Sequence, residues 1–267
     1  MNIPKIIHYV WVGDPNKKSQ QFYDCLASWK KYCPDYKIIE WNESNFDINA
    51  SLYAKQAYEK GKLGFVADFI RTKVLYEYGG IYLDTDVEIT KSFDDLLHNE
   101  FLISFENEVY LETAILASAK GHPLPKIMHD FYINYPFLYN GKPDTTPNTP
   151  IWTCFLKKYY GLTLKNHTQV LKKLDDPNSP TVTVLPSEYF CPINYTTKEM
   201  KKTENTYAIH YFGATWFTSK QKKREKFLKG IYKLLGKKIF SGFTKMYVNN
   251  VNKKLKKRIK KYNIKVN

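Results

Sequence analysis

The sequence is short of the features that assign many proteins quickly. Its 267 residues hold only four cysteines, Cys25, Cys33, Cys154 and Cys191, none spaced as C-x-x-C. Neither a zinc ribbon nor a disulfide framework is expected from them, and a reducing compartment suits such a chain. No apolar run reaches the roughly 18 residues of a membrane span. The opening stretch MNIPKIIHYVWVG carries His8 and Trp11 and no small-residue cleavage site, so it reads as a strand rather than a signal peptide. No internal repeat is evident. Disorder is excluded by the 43% hydrophobic and 16% aromatic content.

Acidic residues are scarce in one place. Of the 41 Lys and Arg, 18 lie from Ser219 to Asn267, where Glu225 is the one acid; the preceding 218 residues then hold 23 basic and 25 acidic side chains. The formal charge of +15 is therefore a property of the tail. A near-neutral body of residues 1–218 and a basic segment of residues 219–267 are expected to differ in role. In the tail, Phe227, Leu228, Ile231, Leu235 and Ile239 follow helical spacing, as do Phe243, Tyr247, Val251, Leu255, Ile259 and Tyr262, with Lys filling much of the remainder. Nucleic-acid surfaces favour Arg and aromatic platforms. This tail has only Arg224 and Arg258, so no nucleic-acid partner is expected. An anionic membrane surface fits a basic amphipathic helix better. Packing of the stripe on the body is the alternative. The expected location is cytoplasmic, peripheral on the inner face of the cell membrane.

The body alternates strand and helix patterns. PKIIHYVWVG and YKIIEW read as strands, with the helix SQQFYDCLASWKKY between them and Ser19 as its cap. A helical region spans about residues 47–60. GFVADFIRTKVLYEYGG is a helix with Phe65, Phe69, Ile70, Val74, Leu75 and Tyr78 facing the core and Gly79-Gly80 as its stop. IYLD, EFLISFEN, LETAILASA, TVTVL and TYAIHYF read as further strands; HPLPKIMHDFYINY and PIWTCFLKKYY read as helices. Residues 136–150 form a loop. This order predicts an α/β sandwich with a mostly parallel sheet, whose ligands sit at the carboxyl ends of strands.

Asp84-Thr85-Asp86 falls at such an end. Two hard carboxylates on one side suit Mg²⁺ or Mn²⁺, with open positions for a substrate diphosphate. His210 ends the last strand and is a candidate third ligand. Asp68 and Arg71 lie three apart on the preceding helix and share a face, where an intrahelical ion pair is the simpler reading. Trp11 at a strand end can stack on a base, or be an ordinary buried aromatic. The stretch IYLDTDV also matches the nucleophile motif of haloacid-dehalogenase phosphatases, with Asp84 as nucleophile. The acidic pair that mechanism needs would have to be Asp175-Asp176, in a Lys/Pro/Asn-rich loop.

Taken in order, IPKIIHYVWVG, FVADFIRTKVLYEYGGIYLDTDVE, ASAKGHPL, LPSEYFCPI and AIHYFGATW resemble the DXD-containing glycosyltransferases of family 32. That group includes capsular-polysaccharide synthesis proteins and initiating mannosyltransferases, and is distantly similar to the clostridial glucosylating toxins. The resemblance covers about residues 3–218 and is most specific in D-x-x-R followed by Y-G-G-x-Y-x-D-x-D. It implies a GT-A fold, a Rossmann-like nucleotide-binding sandwich, and a retaining transfer of a hexosyl group from a nucleotide sugar, UDP-linked for preference, to a glycan acceptor; a tail held at a membrane would bring the enzyme to a lipid-linked one. It implies that Trp11 stacks on the base and that Asp68 and Arg71 grip the donor sugar. Asp84 would contact the ribose and the water shell of the metal, Asp86 and His210 would bind Mn²⁺ or Mg²⁺, and Trp216 would reach the diphosphate. The chain departs from many members of the family at Thr149, where they carry Gly, and at Glu112-Thr113, where they carry Asn. Glu112 is then a conceivable carboxylate at the anomeric carbon, although a front-face route needing no protein nucleophile is preferred.

Overall fold

A computed structural model describes residues 2–107, 109–195, 197–213, 230 and 242–262. Its strands are β1 (Ile6–Val10), β2 (Lys37–Trp41), β3 (Gly80–Leu83), β4 (Val87–Ile89), β5 (Phe101–Ser104), β6 (Ile115–Ser118), β7 (Leu138–Tyr139), β8 (Lys142–Pro143), β9 (Gln169–Leu171), β10 (Val182–Leu185) and β11 (Ala208–His210). Its helices are α1 (Gln20–Tyr32), α2 (Leu52–Glu59), α3 (Leu63–Tyr78), α4 (Pro123–Asn134) and α5 (Asn148–Tyr160). Residues 242–261 form a further, C-terminal helix.

Seven strands make one mixed sheet in the order β2-β1-β3-β6-β5-β10-β9. β6 runs antiparallel to β3 and β5, and β9 antiparallel to β10; the other pairs are parallel. This is an α/β sandwich with the D-x-D at the end of a central strand, as the GT-A expectation requires. The sequence patterns missed β9 and β4 because each is only three residues long. They also placed β11 in line with the other strands. Instead β11 pairs with β4 in a separate two-stranded sheet, which matters for the site.

Side chains alternate across the sheet as strand geometry demands. Tyr82, Phe101, Ile103 and Leu116 face a core built with α2 to α5, whereas Ile81, Leu83, Leu102 and Ile115 face a second core under α1. Ser19 caps α1 by accepting from the Phe22 N–H at 3.2 Å. α3 is buried on most sides; Phe69, Val74 and Leu75 have no exposure, each contributing roughly 1.5–3 kcal/mol of burial. Tyr78 departs from the expectation: it is 44% exposed and lies beside Trp41 with ring centroids 5.4 Å apart. The turn into β3 needs glycine. Gly80 sits at φ +101°, where a Cβ would meet the Ile6 carbonyl oxygen at 2.6 Å.

The C-terminal helix docks on the first core. Val248, Val251 and Leu255 are buried there, with Ile259 and Tyr262 packed beside them. Lys254 Nζ reaches Asp144 Oδ1 and Thr146 Oγ1 at 2.6 Å each. Arg258 pairs with Asp144 Oδ2 and donates to the Tyr135 hydroxyl at 2.7 Å. The apolar stripe of the tail is thus divided: its second half packs on the body, while Phe243 and Tyr247 stay 51% and 39% exposed. A bilayer cannot take the whole stripe in this arrangement. Phe227, Leu228, Ile231, Leu235 and Ile239 lie outside the described residues. Among the described residues, no helix is long and apolar enough to cross a membrane.

Candidate active site

The parallel strands β1 and β3 deliver Trp11 and Asp84 to the same carboxyl edge of the sheet. Pairing then assembles the rest. In the β4–β11 ladder Val87 stands opposite His210, so the residue before Val87, Asp86, is brought to the imidazole. The Tyr211 N–H extends that ladder to the Asp86 carbonyl at 3.1 Å. Because β6 runs antiparallel beside β3, with Leu83 opposite Ile115, the lead-in Glu112–Ala114 lies alongside Asp84. The Asp84 N–H donates to the Ala114 carbonyl at 2.8 Å.

Asp84, Asp86 and His210 each offer a ligand atom, all within 4.8 Å of one another. An octahedral ion with oxygen ligands at 2.0–2.1 Å spans about 4.2 Å between opposite donors, so small side-chain shifts close the cluster on one cation. The donor set fits a hard divalent cation, with imidazole favouring Mn²⁺ over Mg²⁺. His210 Nδ1 lies 3.0 Å from Glu112 Oε2, leaving Nε2 toward Asp86 Oδ2 at 3.4 Å. A carboxylate behind a ligand histidine is the usual support that orients it. Glu112 is itself held: its Oε1 accepts from the N–H groups of Thr113 at 2.7 Å and Ala114 at 2.6 Å. Both Glu112 oxygens are thus engaged by protein donors, and the residue is 1% exposed.

Charge explains the protonation states. Burial would raise Asp86, but the His210 charge, its N–H and the Gly213 N–H at 2.6 Å outweigh it and hold Asp86 at about 2. Burial would lower His210, yet Glu112 and Asp86 together lift it well above the ordinary imidazole value. Glu112 is lowered, burial being outweighed chiefly by His210. Burial next to Glu112 pushes Glu106 up to about 8.

Asp68 and Arg71 form a second group joined to the first. The Arg71 guanidinium lies 3.1 Å from Asp68 Oδ1 and 3.2 Å from Asp84 Oδ1, and donates to the Thr113 carbonyl at 2.6 Å. The intrahelical ion pair is real, and it extends to the D-x-D. The Tyr82 hydroxyl donates to Asp84 Oδ1 at 2.7 Å while Arg71 lies over its ring. Buried Asp68 and half-buried Asp84 share one guanidinium; loss of hydration outweighs it, so Asp68 is raised to about 7, with Asp84 raised as well. Asn148, the first residue of α5, donates from Nδ2 to Asp68 Oδ1 at 2.6 Å and accepts from the Thr113 hydroxyl at 2.8 Å. Sequence reasoning missed Asn148, which it read as part of a loop over residues 136–150; α5 begins at this residue. The Asn148 hydrogen bond and the Arg71 ion pair of Asp68 both fall on Oδ1.

Trp11 is half-buried, its indole N–H on the Asp14 carbonyl at 3.1 Å and Lys18 above its ring. Trp216 lies outside the described residues. Asp175 and Asp176 follow β9 at the sheet edge, four strands from β3, which at about 4.8 Å per strand is roughly 19 Å away. They cannot serve Asp84 as the phosphatase reading requires.

Comparison with known proteins agrees with the geometry. Residues 19–102 match the family described as "Glycosyltransferase sugar-binding region containing DXD motif". The chain is 32% identical over 145 residues to inositol phosphoceramide mannosyltransferase 3 of Schizosaccharomyces pombe, covering 51% of this chain and 40% of that one. It is 29% identical over 169 residues to lactosylceramide 4-alpha-galactosyltransferase of Mus musculus, covering 59% and 43%. An uncharacterized glycosyltransferase, L373 of Acanthamoeba polyphaga mimivirus, is 25% identical over 80% of this chain and 84% of its own length. The match spans less than half the length of the yeast and mouse proteins. The stretch matched by that family description builds α1, α3 and β3 and bears Asp68, Arg71, Asp84 and Asp86.

Proposed function

We propose that the chain is a metal-dependent glycosyltransferase that moves a hexosyl group from a nucleotide sugar to a glycan acceptor. One observation carries this reading: Asp84, Asp86 and His210 converge within 4.8 Å, and Arg71 ties Asp84 to the Asp68 pocket at 3.2 Å. Asp84, Asp86 and His210 would hold Mn²⁺ or Mg²⁺. A bound divalent cation there would offset charge on the departing diphosphate. Asp68 Oδ2 and Arg71 would hold donor-sugar hydroxyls, with Asn148 fixing the Asp68 carboxylate. Trp11 would offer its face to the base, for which uridine is the preferred candidate.

With Glu112 engaged by His210 and two N–H groups, a route through a Glu112 adduct is disfavoured. A retaining, front-face transfer fits better: the leaving phosphate accepts the acceptor proton, and the protein positions both partners. The names of the yeast and mouse relatives specify ceramide-borne acceptors, and the tail is strongly basic. Both favour a lipid-linked acceptor reached from an anionic membrane surface, with the inner face of the cell membrane as the expected place. A thermal-shift screen of nucleotide sugars with and without Mn²⁺ tests the reading. Stabilisation by UDP-sugars only when Mn²⁺ is present is expected; indifference to every nucleotide sugar would refute it.

A further inference from the structure

A second cavity lies away from this site, between the last turn of α5 and the C-terminal helix. Its volume is about 270 Å³, and Lys157, Lys158, Asn249, Asn252 and Lys256 line it around Cys154. Lys157 stands nine residues along α5 from Asn148, about 14 Å at 1.5 Å per residue. Among the described residues, no acidic side chain lines the cavity. Among the described residues, none of the three lysines has a carboxylate partner, and Lys158 donates to the Tyr159 hydroxyl at 2.7 Å.

Lysines in a final helical turn complement the helix dipole, which accounts for Lys157 and Lys158. It does not account for Lys256, which comes from another helix and points at the same space. Burial pushes the Cys154 thiol up to about 11, and the charges of Lys157 and Lys256 both act against that rise. Three lysines and two asparagines thus line one space, with no carboxylate among its described lining residues. A narrow cleft continues from the cavity and is walled by Phe155, Tyr159, Leu255 and Ile259.

We propose that this cavity binds a phosphate-bearing group, its charge met by Lys157, Lys158 and Lys256 and its apolar remainder lying along the cleft. The asparagine amides supply neutral donors, and lysine serves phosphate as a point charge. The ligand chemistry is a phosphate ester, borne on a lipid or free in solution. The site is independent of the glycosyltransferase reading, because none of its residues belongs to the Asp84 cluster.

The test uses the full chain. Flotation is measured with phosphatidylcholine vesicles containing phosphatidic acid, and calorimetry with glycerol 3-phosphate. The double variant Lys157→Glu/Lys256→Glu is compared with Lys253→Glu/Lys257→Glu, an equal charge change at exposed positions outside the cavity. The cavity pair should weaken binding about tenfold or more while the control pair keeps most of it, since a diffuse field would treat the pairs alike. Loss of glycerol 3-phosphate binding in the cavity pair supports the site with a soluble ester as source. Loss confined to phosphatidic acid vesicles supports it with a lipid as source. Equal loss in both pairs, or no binding of either probe by the wild-type chain, overturns it. Unchanged circular dichroism and melting establish that the variants fold.

Discussion

Glu112 Oε2 stands 3.0 Å from His210 Nδ1, and the two residues are 98 positions apart in the chain. An ionised carboxylate only accepts hydrogen bonds, so the proton sits on Nδ1 and Nε2 faces Asp86. The orientation of a candidate metal ligand is therefore set by a residue only 1% exposed. Glu112→Gln should keep the fold and weaken Mn²⁺ binding about 10- to 100-fold, the usual effect of losing such a support. Titration followed by electron paramagnetic resonance measures it. Unaltered affinity would show that the Glu112 contact does not orient a ligand.

Cation binding should release a proton. Asp86 and Glu112 lift His210 well above the ordinary imidazole value, so its Nε2 is protonated at neutral pH until a cation replaces that proton. Apparent Mn²⁺ affinity should then rise with pH, by up to about tenfold per unit below the His210 titration. Calorimetry in two buffers of different ionisation enthalpy counts the protons. A pH-independent affinity between pH 6 and 8 would contradict the assignment of His210.

Asp68, raised to about 7 by burial, needs its charge to accept sugar hydroxyls strongly. Donor affinity should improve as pH rises through about 7, and Asp68→Asn should abolish that dependence. The stability sign is opposite. A raised carboxyl favours the folded protein below its unfolded value of 3.8, and that contribution is lost as pH rises through about 7. Asn148→Ala should raise the donor KM more than it lowers kcat, because it frees Asp68 without touching the cation cluster. Steady-state kinetics over pH 6–8 checks both. An unchanged KM would remove Asn148 from the donor pocket.

Asp144 holds the C-terminal helix by one buried carboxylate. Asp144→Ala leaves Arg258, which is 6% exposed, and the half-buried Lys254 without their counter-charge. A loss of about 3–5 kcal/mol is expected, as for a broken buried ion pair. Urea unfolding measures the loss, and limited proteolysis should cut first within residues 242–262. A change below about 1 kcal/mol would mean that apolar packing alone secures the helix.

Much of this was legible in the sequence because local signals agreed. The long helix α3, its Gly-Gly stop and β3 followed from periodicity and turn chemistry, and the D-x-D fell where strand ends place ligands. What escaped depended on contacts between distant segments. The three-residue β4 carries too little periodicity to read, and although β11 was read as a strand its pairing with β4 was not, yet that register is what seats His210 beside Asp86. Glu112 drew notice as an acid, but its engagement by His210 became visible only with the antiparallel run of β6. Asn148 sat in a stretch read as loop, where an amide bridging Asp68 and Thr113 leaves no pattern. The tail stripe was read correctly as helical in residues 242–261; which face it buries depended on Asp144, about a hundred residues upstream.

The central claim rests on the cation cluster, and Asp86→Asn examines it most directly. Asn keeps the size and the Gly213 contact but removes a charged ligand. Mn²⁺-dependent transfer from a UDP-sugar should fall by about a thousandfold, the equivalent of roughly 4 kcal/mol, while the melting curve of the metal-free protein stays close to wild type. Full Mn²⁺-dependent transfer by Asp86→Asn would contradict the account.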